Sequence, residues 1–99
     1  MKIKLSPSEY NSLFILFRDI IEHFHPVGME AKCYHALLMQ VLDKMYKKGI
    51  KPKGYILSLT IPEAYAFYSF WTSYQLPVRL MFERSMLMQI CNKIHQQLS

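Results

Sequence analysis

His23, His25, Cys33 and His35 form the densest set of potential metal ligands in the chain. A metal site needs such groups to converge, and residues two apart on a helix point to different sides. Their spacing also matches no common zinc pattern. The residues therefore predict hydrogen-bonded or solvated histidines around a helix junction, with no metal. Cys33 and Cys91 fall on predicted helices without a CxxC partner, so they read as reduced thiols of a cytoplasmic protein rather than as nucleophiles. Gly28, Gly49 and Gly54 suit turns and helix ends, and none opens a phosphate-cradling loop. The expectation is a protein with no catalytic residues and no cofactor.

Glu9 and Glu63 resemble an acid pair until their neighbours are read. Each stands three residues after a hydroxyl, in Ser6-Pro7-Ser8-Glu9 and Thr60-Ile61-Pro62-Glu63. In a capping box the hydroxyl accepts from the amide of the acidic residue, and the carboxylate accepts from the amide of the hydroxyl residue. A proline in the first turn gives up an N–H that has no helical partner anyway. Two helices thus start in the same way, each behind a short alternating strand: Lys2-Ile3-Lys4-Leu5 and Tyr55-Ile56-Leu57-Ser58-Leu59.

The likeness continues. Tyr10, Leu13, Phe14, Phe17, Ile20, Ile21 and Phe24 predict one apolar stripe on the first helix, which His25-Pro26 should end. Ala64, Phe67, Tyr68, Trp71 and Tyr74 follow the first five of these at a constant offset of 54. A second helix, starting near Gly28 or Met29, should bury Tyr34, Leu37, Leu38, Val41, Leu42 and Met45. Gly49 and Ile50 suit a Schellman ending, and Pro52 and Gly54 a linker. Pro77 breaks the chain or starts a fourth helix, with Leu80, Leu87, Ile90, Cys91 and Ile94 inward. Leu38-Met39-Gln40 matches Leu87-Met88-Gln89 at an offset of 49. The expected fold is mainly α (α+β): four helices and a short two-stranded antiparallel ribbon, from a duplicated β-α-α unit with pseudo-two-fold symmetry. One domain spans residues 1–99, with repeats at about 2–50 and 55–98. Ile3, Leu5, Leu57 and Leu59 should face the core, and Lys2, Lys4, Ser58 and Thr60 should face away.

Ninety-nine residues suffice for one core, and 52% of them are hydrophobic. No apolar run approaches the roughly 18 residues that a membrane helix needs, so no membrane partner is expected. Glu9 and Arg18 flank the first apolar stretch, which does not read as a secretory signal. The net charge of +5 is local: Lys44, Lys47, Lys48, Lys51 and Lys53 supply the whole surplus. The first three complement the negative end of the second helix, and all five could meet a polyanion.

Strand, helix, helix, with strands that alternate, resembles in outline the ribbon-helix-helix DNA-binding proteins. The resemblance implies that Lys2, Lys4, Ser58 and Thr60 would occupy the face that reads DNA. The helices here look longer, and Glu30 at the start of the second helix would repel a phosphate. Helix three also holds more rings than one buried face uses: Tyr65 and Phe70 fall off its stripe. The residues therefore point first to a small non-catalytic helical interaction module, whose partner is another protein or a second copy. The alternative is nucleic-acid binding through the ribbon (Lys2, Lys4) or the lysine-rich loop (Lys44, Lys47, Lys48, Lys51, Lys53).

Overall fold

The computed structural model of the chain describes residues 1–48, with only the backbone of Lys48, and residues 55–98. The element order is β1 (Lys2–Leu5), α1 (Pro7–Leu16), a π-helical turn (Phe17–Ile21), α2 (Met29–Lys48), β2 (Tyr55–Ser58), α3 (Ile61–Ser73), a 3-10 turn (Val78–Leu80) and α4 (Met81–Leu98). Among the described residues the protein is mainly helical, with four α-helices and one two-stranded antiparallel ribbon. The proposed Schellman ending at Gly49 and Ile50, and the linker at Pro52 and Gly54, lie outside the described residues.

Both capping boxes are formed. Glu9 N–H donates to Ser6 Oγ at 3.1 Å and Ser6 N–H to Glu9 Oε1 at 2.9 Å; for Glu63 and Thr60 the distances are 3.2 and 2.8 Å. The ribbon register follows from its two faces. Lys2 pairs with Ser58, Ile3 with Leu57, Lys4 with Ile56 and Leu5 with Tyr55. Ile3, Leu5, Tyr55 and Leu57 are buried under the helices, whereas Lys2, Lys4, Ile56 and Ser58 face outward. A slip of one residue would turn both apolar sets into solvent. Beyond β2, Leu59 N–H donates to the Met1 carbonyl at 2.8 Å, and the Met1 amine donates to the Leu59 carbonyl at 3.0 Å. In this register Ile3 faces Leu57, the residue 54 positions on that is its sequence counterpart.

Helix one departs from the expected single stripe. It widens at Phe17 into a π turn, with Glu22 N–H reaching back to the Phe17 carbonyl at 3.1 Å. Leu16, Phe17 and Ile21 are buried, but Ile20 and Phe24 are only half-buried. In helix two Leu38, Val41, Leu42 and Met45 are buried, while Tyr34 and Leu37 sit at the margin. In helix four Met86 joins the expected inner residues, and Leu80 falls in the 3-10 turn, half-buried. One continuous core draws on both strands and all four helices.

Rings repeat the sequence offsets in space. Phe14 packs edge-on against Tyr46 at 4.9 Å, and Tyr68 stacks on His95 at 5.8 Å between centroids. Tyr68 is 54 residues beyond Phe14, and His95 is 49 beyond Tyr46. The first helix of each half packs near the second helix of the other, with α2 against α3 and α1 against α4.

Candidate functional site: an aromatic cleft and a basic ribbon face

The residues first considered for metal chemistry scatter. His23, His25 and Cys33 are exposed, and among the described residues no three His, Cys, Asp or Glu side chains form a group that could hold a metal. His35 is half-buried and donates from Nε2 to the Ile21 carbonyl at 2.8 Å. That carbonyl also accepts from Phe24 N–H, so His35 helps to close the end of the π turn. Cys91 is buried, and burial pushes its thiol up to about 11. Such a thiol carries almost no thiolate near neutral pH.

The lysine-rich stretch divides. Lys44 Nζ lies 2.7 Å from Glu63 Oε1, a carboxylate only 1% exposed at the start of α3. Lys47 reaches Asp43 at 2.9 Å one helical turn back. The side chain of Lys48, and all of Lys51 and Lys53, lie outside the described residues. Burial by itself would raise the Glu63 pKa, but hydrogen bonds from Lys44 and the Thr60 amide, with the lysine charge, outweigh it and hold the group below the usual glutamate value. Sequence reading missed this pair because nothing in the spacing of Lys44 and Glu63 brings two helices of different halves together.

Lys2 and Lys4 are different. Both are exposed on the outer face of the ribbon, beside Ser58 and Ile56, and no described residue forms an ion pair with either. Thr60, expected on that face, is exposed, but its hydroxyl is taken up by the Glu63 amide.

A cleft of about 710 Å³ opens between the start of α2 and the second half of α3. Phe24, Tyr34, Phe70 and Tyr74 line it, each half-buried. Phe70 stacks on Tyr74 at 5.3 Å and meets Phe24 edge to face at 5.2 Å. Behind them Trp71 packs against Phe70 at 4.9 Å, and its Nε1–H is buried without a hydrogen-bond partner among the described residues. Val27 and Met29 stand on the rim, 90% and 89% exposed. Gly28 between them has φ +90°, a conformation that a side chain disfavours, and its carbonyl accepts from Lys32 N–H at 3.1 Å as α2 begins. So the ring surplus of α3 is partly packed and partly presented: Phe70 and Tyr74 wall the cleft, while Tyr65, 52% exposed, faces solvent elsewhere.

A smaller cleft of about 350 Å³ occupies the corresponding place in the other half. The first cleft takes Ser69, Phe70, Ser73 and Tyr74 from α3; the second takes Ile15, Leu16, Asp19 and Ile20, each 54 positions earlier. Gly28, Glu30, Ala31 and Tyr34 in the first correspond to Pro77, Arg79, Leu80 and Glu83 in the second, each 49 positions later. The framework is shared and the lining is not: four rings in the first, and aliphatic and charged side chains in the second, where Tyr74, common to both, is the one ring among the described residues. Sequence reading missed the aromatic cleft because its walls come from separate segments. The available signal was Val27-Gly28-Met29, apolar residues in a turn that belong to no stripe.

No family model matches this chain, and no curated protein or solved structure matches it either. No described helix is long and apolar enough to cross a membrane.

Proposed function

We propose that the protein is a small non-catalytic interaction domain that docks a partner protein in the aromatic cleft. The observation that carries this reading is the rim: two large apolar side chains, Val27 and Met29, stand almost wholly in water beside four half-buried rings. Clustered exposed apolar surface next to a concavity is the usual mark of a docking site, and rings suit one because they present a large area with few rotatable bonds. The immobilised domain should retain a partner from its own cells and lose it on Val27→Glu with Met29→Glu. Retention that survives both changes, or no retention at all, would contradict the reading.

A second reading is favoured by the ribbon. Lys2 and Lys4 share an outward face with Ser58 and Ile56, with no acidic side chain among these four, and a two-stranded ribbon is narrow enough for a major groove. This is nucleic-acid binding of the kind the ribbon-helix-helix resemblance implies. Its test is fluorescence anisotropy of a labelled duplex at rising salt: binding that weakens with salt and is lost in Lys2→Gln with Lys4→Gln supports it. The engagement of Lys44 and Lys47 by carboxylates speaks against the lysine-rich stretch as the main contact. We also infer that the two β-α-α halves arose by internal duplication, supported by the ribbon register, the twin capping boxes and the paired clefts.

A further inference from the structure

The two clefts share a framework, so each serves as a control for the other. The aliphatic cleft holds its own cation: Arg79 lines it together with Asp19 and Glu83. At the position of Arg79 the aromatic cleft carries Glu30, which is the sole charged residue lining it among the described residues. A positive charge at this helix start in one half and a negative charge in the other means that the fold does not dictate the charge there. Nor does it dictate rings, since Leu16 and Ile20 stand where Phe70 and Tyr74 do. The aromatic cleft thus joins ring faces and an exposed carboxylate in a protein whose net charge is +5.

We infer that the aromatic cleft recognises an arginine borne on a short apolar peptide segment of the partner. A guanidinium can stack on a ring face while its N–H groups fork onto a carboxylate, which a lysine ammonium does less well. The apolar neighbours of that arginine would cover Val27 and Met29. The volume of about 710 Å³ exceeds one arginine side chain and accommodates a few residues. The inference rests on the docking reading and adds the charge of the occupant.

The test is a titration of the intact domain with acetyl-Leu-Arg-Leu-Leu-amide, and with the same peptide carrying neutral citrulline in place of arginine. NMR shifts of Phe24, Tyr34 and Phe70 report the cleft, because Tyr74 lines both clefts. The arginine peptide is expected to bind at least about fivefold more tightly than its citrulline twin, and Glu30→Gln should abolish that preference. Equal affinity for the two peptides, with shifts still confined to the cleft, overturns the arginine inference and leaves the docking reading standing. An arginine preference that persists in Glu30→Gln overturns the assigned role of Glu30 and with it the inference. Failure of either peptide to shift any cleft resonance overturns both.

Discussion

The ring of Phe17 meets the indole of Trp71 edge to face, with centroids 5.8 Å apart and both side chains buried. These residues are counterparts at the 54-residue offset, as are Ile3 and Leu57, which face each other in the ribbon. Two contacts between residues at the same offset are what a duplicated unit folded about a two-fold axis would produce, and they support the duplication inferred above.

Phe17→Ala and Trp71→Ala are each expected to cost about 3 to 5 kcal/mol, the range for a buried aromatic truncation. Because the rings are in contact, the double variant should cost less than the two singles together, with a coupling of about 0.5 to 1.5 kcal/mol. Urea unfolding followed by circular dichroism measures all three, and strict additivity would show that the contact contributes nothing. Trp71→Phe should be far milder than Trp71→Ala, since it keeps a ring and removes an indole N–H with no acceptor among the described residues.

Ser6→Ala and Thr60→Ala each remove the acceptor for an amide at a helix start, at roughly 0.5 to 2 kcal/mol. Thr60 is expected to cost the more, because its partner Glu63 is buried whereas Glu9 is not. Equal small losses in thermal melts of both variants would separate the box from the ion pair.

Lys44 and Glu63 make stability depend on acid. The carboxyl pKa is lower in the folded protein than in the unfolded chain, so its contribution is present above the ordinary glutamate value and disappears as pH falls through the lower, folded value. Wild type should lose stability in that acid range, and Glu63→Gln should flatten the loss. Lys44→Met leaves the buried carboxylate without its cation. Its expected cost is about 1 to 3 kcal/mol, below that of a fully buried pair because the lysine side is 45% exposed. Equilibrium unfolding of the three proteins between neutral and acid pH checks both points. A Lys44→Met change of only a few tenths would return Lys44 to a role at the helix end.

What could be read along the chain was whatever repeats along the chain. Ser6 to Glu9 and Thr60 to Glu63 announce helix starts because a capping box is local. The alternation from Lys2 to Leu5 sets which side chains go inward, and the antiparallel ribbon follows once two such strands need partners. The π turn at Phe17 escaped because helical stripes tolerate one extra residue without changing composition. Lys44 with Glu63, and Phe24 with Phe70, escaped because each joins segments whose approach depends on how the helices cross. Burial of Leu80 was overestimated for a related reason: Pro77 diverts the chain into a 3-10 turn before α4 begins.

The two thiols should behave differently. Cys33 is exposed and should react promptly with a disulfide reagent near pH 8, whereas Cys91, pushed up to about 11 by burial, should react only on unfolding. Two fast equivalents in the native protein would mean that α4 opens readily.

Footprinting the domain by photochemical carbene labelling, alone and with the partner it captures, locates the working surface most directly. Protection is expected at Val27, Met29, Tyr34 and Tyr74, with Lys2 and Lys4 labelled equally in both samples. Protection confined to Lys2, Lys4 and Ser58, with the cleft rim still labelled, would contradict docking in the aromatic cleft and place binding on the ribbon.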